Sequence, residues 1–551
     1  VIAARRSRLF FAAAVALFAS LVVAVHVVRL PEPLGIDQGL FACFARWVPR
    51  GWLPYRDLFD SKPPLFLYWW ACSALVPGDV VRAAWWWEGI WLALTLVAAY
   101  AVGARVGGRA VGLGAAVLLF VGLWSPAWGG FWSRAQAEEA LALPMLGSAW
   151  LAWRALDRAP LAFACGVLVG VCGLFKIPSM AIALSWAVTW VACVPARDAL
   201  ARALRMIAGV LVPWALAFAW FAAHHAAGSF VEGVFVYQRY NAAFIAPPWG
   251  FVLQRFGGTM LSDATLLVAA GAIGVVRLAR RRAREAHWLA SWIVATMAAI
   301  VLQRQMSAGY HYLLVVPALA VAGGYGVAEL VAALRDSEAR ALGGAGLVAL
   351  AILALPEARS WWHAYAPDAA CLTGRLSRDA YLRAIQPGGF SMVDEEEAAR
   401  WLRDRTAPSD GILVWALSPG VYALADRHPV TRYAFHKILM TDAPLSRMWP
   451  GLDRRRARLM EGLRADPPKY VLVGRGDANG FEPLDSFTSM RRFRALRFFL
   501  EQRYESDASI GHFLVYRRVD FTAPAAAPAS AQPPAPDSIN STRVAPSARA
   551  P

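Results

Sequence analysis

Charge is scarce in this chain of 551 residues: 17% of them are Asp, Glu, Lys or Arg, while 58% are hydrophobic. That balance excludes an ordinary soluble domain and places the chain among membrane proteins. Acids are scarcer still, 38 against 55 bases, for a formal net charge of +17 that is nearly all arginine. In a soluble protein such a surplus would point to nucleic acid. Here the arginines fall between hydrophobic runs, so they read as a topological signal and imply no nucleic-acid partner. The six cysteines (Cys43, Cys72, Cys165, Cys172, Cys193 and Cys371) lie mostly in or beside apolar runs, and none forms a CxxC pair. That argues against a disulfide framework or a zinc site. No internal sequence repeat is evident, which argues against a solenoid.

What the chain has in abundance is apolar runs near the length of a bilayer crossing. They read as Leu9–Val28, Ala83–Val102, Ala110–Trp124, Glu139–Trp153, Leu161–Phe175, Ile177–Val194, Met206–Ala222, Ser262–Val276, Trp288–Leu302, Tyr312–Val327 and Leu342–Leu355, about eleven transmembrane helices. The first is long, lacks a clear small-x-small cleavage site and is followed by many more, so it reads as an anchored helix and not a signal peptide. The 25 tryptophans suit a protein with two membrane–water interfaces, and the Trp85-Trp86-Trp87 run reads as an interface anchor. Arginines at 5, 6 and 8, at 105 and 109, at 154 and 158, at 197, 202 and 205, between 277 and 284, and at 335 and 340 all fall on one side of this span list. The positive-inside rule makes that side cytoplasmic. The N-terminus is then cytoplasmic, and the loops holding Asp37–Lys62, Trp128–Glu138, His224–Leu261 and Gln303–His311 face outward, with everything after Pro356.

Three regions follow: a transmembrane domain over 1–356 whose first external loop is 31–82, an extracytoplasmic domain over 357–520, and a tail over 521–551. In the second, Asp394–Asp404, Pro419–Ala425 and Leu452–Arg464 read as helices, and Ile412–Ala416, Tyr470–Val473 and His512–Tyr516 as short strands. Alternation of the two predicts a small α/β domain. The tail is Pro, Ala and Ser without periodicity and reads as disordered.

The first external loop concentrates the chemistry. It holds Asp37, Asp57 and Asp60 with Arg46, Arg50, Arg56 and Lys62, and between them Phe41, Phe44, Trp47 and Val48, mostly at helical spacing. A polar segment with one apolar face after a span is expected to lie on the membrane surface, as the floor of an outward-facing active site. Asp37-Gln38-Gly39-Leu40-Phe41 through Tyr55-Arg56-Asp57-Leu58-Phe59-Asp60-Ser61-Lys62-Pro63-Pro64-Leu65 resembles the first external loop of the polyprenyl-phosphate-dependent GT-C superfamily of glycosyltransferases. Within it, the motif looks most like bacterial members of the protein-mannosyltransferase-like group, which includes the enzyme that adds 4-amino-arabinose to lipid A. Weaker matches follow at Gln136-Ala137-Glu138 before Leu143-Pro144, at Leu174-Phe175-Lys176-Ile177-Pro178, at Arg304 with Gly309-Tyr310-His311-Tyr312 and Pro317, and from Val414 to Tyr433. Gln38 and Lys62 stand where eukaryotic protein mannosyltransferases carry Glu and His; Lys62 matches the bacterial lipid-modifying branch.

The resemblance implies a bacterial inner-membrane enzyme that moves a sugar, with inversion, from a polyprenyl-phosphate donor to a hydroxyl on a lipid, glycan or protein acceptor. It implies Asp37 as general base. Lys62 and Arg304 are the candidates to meet the lipid phosphate, and Glu138, His311 and Tyr312 join Asp60 as substrate-binding candidates. Asp37, Asp60 and Glu138 are the oxygen ligands a divalent cation would take. Plainer roles fit the same residues. Asp37 suits a helix N-cap, Asp60 with Lys62 a surface ion pair, Glu138 and Glu139 the polar end of a span, Lys176 a snorkelling side chain, and His311 with Tyr312 an interfacial aromatic pair. The rival function is a transporter or flippase of a lipid-linked glycan. A transporter places ionisable groups near the midplane, whereas here the acids gather in the outer loops.

Overall fold

The computed structural model describes residues 2–520 apart from 245–246, 305–308, 387–389, 441–448 and 480–483. The tail expected over 521–551 lies outside the described residues. The chain is a polytopic helical membrane protein with a small sheet near its C-terminal end. Most expected spans fall on one helix each, whereas Glu139–Trp153, Ile177–Val194, Ser262–Val276 and Tyr312–Val327 each straddle two helical segments. Among the described residues five helices are long and apolar enough to cross a bilayer by themselves: Val80–Gly107, Ala196–Ala223, Arg284–Gln303, Gly309–Ala333 and Arg340–Leu372. Trp249–Ser262 and Thr265–Arg280, bent by 84° at their junction, make a sixth if taken together. The other expected spans are shorter apolar helices, among them Arg109–Leu123 and Leu161–Phe175, cut short by breaks such as Gly108 and Lys176-Ile177-Pro178.

Helices in lipid gain little from burying apolar surface against one another, so close backbone approach has to supply the packing. Two pairs show it. A Cβ on Gly166 would come within 2.0 Å of the Met206 carbonyl oxygen, which presses Leu161–Phe175 onto Ala196–Ala223. A Cβ on Gly274 would come within 1.9 Å of the Ala322 carbonyl oxygen, which does the same for Thr265–Arg280 and Val316–Ala333.

The C-terminal sheet has the order β1-β2-β4-β3, with β1 Ile412–Trp415, β2 Tyr470–Gly474, β3 Tyr504–Ile510 and β4 Phe513–Arg518. β1 and β2 pair in parallel, and the crossover between them carries the helix Leu452–Ala465. β4 runs antiparallel to both β2 and β3. β1 and β2 are buried at every position, as their continuous apolar sequences require. Leu413, Trp415, Val471 and Val473 face a core shared with Leu459 and Leu496. Ile412, Val414, Tyr470 and Leu472 face the other way, into a core continuous with that of the membrane helices. The two regions are therefore joined by packing, and the helix Arg340–Leu372 runs through position 356 unbroken.

Three strands fall where the sequence places them. β3 is the one it does not announce: YESDASI is polar and exposed at most positions, because it is the outer strand of the sheet and has β4 on one side only.

Candidate active site

The site is built on Ile36–Trp47, the helix that follows the first apolar span. The sequence predicts it at the membrane surface with one apolar face. Instead Gln38 to Ala45 and Trp47 are all buried. Its outer face is covered by the C-terminal helix Gly420–Ala425, so closely that a Cβ on Gly39 would lie 2.7 Å from the Gly420 nitrogen. Cys43 Sγ reaches the Pro419 carbonyl at 3.4 Å, and Arg50 makes a bidentate pair with Asp426 at 2.8 and 3.0 Å. The N-cap of the helix is Gly35, with no side-chain cap. Asp37 therefore sits inside the first turn and is not the cap.

The Asp37 carboxylate accepts a hydrogen bond from the Tyr310 hydroxyl at 3.1 Å. The Tyr310 ring and the Phe41 ring each lie 5.9 Å from the Lys62 ammonium. Lys62 makes no hydrogen bond from its ammonium and no ion pair with the described residues. Burial works against its charge, yet Asp37, Glu138 and Asp60 outweigh that and hold its pKa above the ordinary lysine value. Asp60 is buried. Its Oδ1 accepts the backbone N–H groups of Ser61 and Lys62, while Oδ2 has no partner among the described residues. Burial pushes its pKa up to about 6 against the pull of Lys62. The loop that carries both is held tightly: Tyr55, at φ 68, donates its hydroxyl proton to the Lys62 carbonyl at 2.7 Å, and Gln238 donates to the Ser61 carbonyl at 2.9 Å.

Glu138 closes the other side. Its Oε1 pairs with the Lys176 ammonium and lies 2.6 Å from His311 Nδ1, which is itself 2.8 Å from Lys176 Nζ. A ring nitrogen holding the proton donates to Glu138; without it, it accepts from Lys176. Burial lowers the pKa of Lys176 to about 8, with Glu138 pulling it back up. Burial opposes the charge on Glu138, but Lys176 and His311 hold its carboxyl well below the usual range. Its neighbour Glu139 turns away to accept the Ala135 N–H at 2.9 Å.

Asp37 and Glu138 share one scaffold. The Gln38 amide nitrogen lies 3.0 Å from each of the Phe131, Trp132 and Arg134 carbonyls. Arg134 is buried, paired with Glu88 at 2.5 Å and Glu32 at 2.6 Å, and lies 4.1 Å above the Trp85 ring. The left-handed backbone at Ala135, φ 53, then turns the chain into Ala137–Ala140, the short helix that aims Glu138.

Two candidates lie elsewhere. Arg304 ends Arg284–Gln303 at φ 56, donates to the Pro247 carbonyl at 3.0 Å and stacks 4.7 Å above Trp249. Tyr312 stacks between Trp128 and Phe256 at 5.7 and 6.1 Å; it is Tyr310, two residues earlier, that reaches Asp37. Tyr310 and Lys176 are thus the site residues absent from the sequence-based candidates, although both stand in the quoted motifs. As for a divalent cation, no three His, Cys, Asp or Glu side chains converge as ligands among the described residues. Glu138 is engaged by Lys176 and His311, and the mechanism proposed here uses no metal.

The whole architecture has a match among solved structures. ArnT from Cupriavidus metallidurans, bound to undecaprenyl phosphate, superposes over 92% of this chain and 98% of its own with a TM-score of 0.56 at 15% identity. The chain shares the fold of that protein. The apo form of ArnT from Cupriavidus metallidurans matches similarly, with a TM-score of 0.55 at 15% identity over 91% of this chain and 97% of its own. No family model matches the chain, and no curated protein matches it in sequence. The likeness agrees with the many-helix membrane architecture expected from the sequence; at this identity it speaks of fold alone.

Proposed function

We propose that the protein is a membrane glycosyltransferase of the bacterial inner membrane, which moves a sugar from a polyprenyl-phosphate donor to an acceptor hydroxyl on the extracytoplasmic side. The observation that carries the reading is the half-buried Lys62 ammonium, unpaired among the described residues, beside the carboxylate of Asp37. The Lys62 ammonium makes no direct ion pair among the described residues and so is available to a lipid phosphate, and Lys176 adds a second cation near Glu138. The loop motif and the fold shared with ArnT, a protein captured with undecaprenyl phosphate, support the same donor. The arginine alternation supports the orientation, with the N-terminus cytoplasmic and the C-terminal region outside.

In this reading the acceptor oxygen attacks the anomeric carbon from the face opposite the phosphate. The new C–O bond forms as the bond to the phosphate oxygen breaks. That oxygen leaves with the electron pair, stabilised by Lys62, and the hydroxyl proton passes to Asp37. Tyr310 holds the Asp37 carboxylate in place. Glu138 keeps Lys176 charged in a buried setting that would otherwise neutralise it. One displacement inverts the anomeric configuration. The test is transfer of radiolabelled sugar from a polyprenyl-phosphate donor by the purified protein, with inversion read from the product. Donor hydrolysis or transfer with retention refutes the single-displacement scheme, and absence of any donor binding refutes the reading.

A further inference from the structure

A polar cavity of about 610 Å³ lies where membrane helices meet the C-terminal region. Its floor is made of three helix ends: Leu30 and Pro31 just after the first span, Val80 and Val81 at the start of Val80–Gly107, and Leu372 at the end of Arg340–Leu372. Its roof is the helix Met392–Arg405. Five arginines line it against three carboxylates, and the carboxylates are already engaged. Glu32 pairs with Arg29 and Arg134, Asp79 caps the helix it precedes, and Glu396 pairs with Arg378. Arg400 and Arg403 are exposed and have no carboxylate partner among the described residues. Arg46 shares Asp426 with Arg50, at 3.9 Å against 2.8 Å. Burial presses the pKa of Arg46 down, and the like charges of Arg50 and Arg403 add to that.

We propose that this cavity binds the phosphodiester headgroup of an anionic phospholipid. The surplus guanidinium groups suit a phosphate, which they grip by paired N–H donors. The apolar floor of helix ends, with Leu372 exposed on it, suits the acyl–glycerol junction of a lipid and not a free anion. The cavity is separate from Asp37, Lys62 and Glu138, none of which lines it. A lipid held there would bridge the ends of the spans and the roof helix, clamping the C-terminal region over Ile36–Trp47.

The experiment is native mass spectrometry of the full chain in detergent, offered equal amounts of phosphatidylglycerol and phosphatidylcholine with identical acyl chains. Wild type should retain phosphatidylglycerol selectively. Each arginine near an anionic headgroup contributes about fivefold in affinity, so Arg400→Ala with Arg403→Ala should lower retention about 25-fold. Arg400→Glu alone, at an exposed position, should do the same, while Arg491→Ala, outside the cavity, should change nothing. Equal retention of the two lipids overturns the proposal, as does unchanged retention in both cavity variants. Displacement of the lipid by equimolar glycerol 3-phosphate or inorganic phosphate also overturns it, because the site would then read a free anion.

Discussion

Replacing Asp37 by Asn separates the chemistry of this carboxylate from its place in the fold. Asn keeps the volume and an oxygen to accept from the Tyr310 hydroxyl, now 3.1 Å away. Because Gly35 and not Asp37 caps the helix, no capping energy is at stake. What the helix loses is a negative charge in its first turn, worth about 0.3–1 kcal/mol. In a protein of this size that is a shift in Tm of about 2 °C or less. Lys62 loses one of the three carboxylates that sustain its charge but keeps Glu138 and Asp60, so donor binding should persist. Turnover should fall about 10²–10⁴-fold, the usual worth of a positioned general base, which is about 2.7–5.5 kcal/mol of activation free energy. The assay is single-turnover transfer from a radiolabelled polyprenyl-phosphate sugar, run beside donor binding and thermal unfolding. An Asp37→Asn variant that binds donor and turns over near the wild-type rate removes Asp37 from the chemistry and with it the mechanism proposed above.

Lys62→Ala should weaken donor binding as well as turnover, since the donor carries its phosphate charge already in the ground state; equilibrium binding of the donor checks it. Glu138→Gln should move the alkaline limb of the pH–rate profile below the wild-type position, because Lys176, already brought to about 8 by burial, loses the carboxylate that raises it. Glu395 is buried, and its pKa is pushed up to about 8 from an ordinary 4.5. The folded state therefore binds its proton more tightly than the unfolded one, and the associated stability is full below about pH 4.5 and lost as pH rises to about 8. Thermal unfolding should show Glu395→Gln gaining on wild type across that window. A cysteine at Ser61 should react with an impermeant thiol reagent from outside the cell and one at Ala283 should not; the reverse labelling would invert the orientation.

How much of the site was legible follows from which signals are local. Asp37, Asp60 and Lys62 stand within one loop, and the spacing of that loop is itself the motif. The family resemblance picks out Glu138 and not its neighbour Glu139, and the structure turns Glu138 toward Lys176 and Glu139 toward Ala135. Lys176 is harder to place, because a lysine beside a break between two apolar runs looks the same whether it snorkels to water or meets a carboxylate 38 positions earlier in the chain. Tyr310 and Tyr312 are two residues apart in a segment of 3₁₀ geometry, where neither helical nor strand periodicity tells which side chain turns inward.

By itself the sequence determined what depends on composition and short-range pattern. Apolar runs dictate membrane helices because lipid offers the backbone no other partner, and the buried strands β1 and β2 are continuous apolar stretches. The tertiary structure alone decided what depends on elements distant in the chain. Gly420–Ala425 comes down on Ile36–Trp47 and turns an expected surface helix into a buried one. Arg134 gathers Glu32 and Glu88 so that Gln38 and Glu138 sit on one scaffold. Tyr310 reaches Asp37 across 273 positions of the chain. The reason is physical: hydropathy and turn preference act over a few residues, whereas these contacts form only once helices remote in sequence have packed.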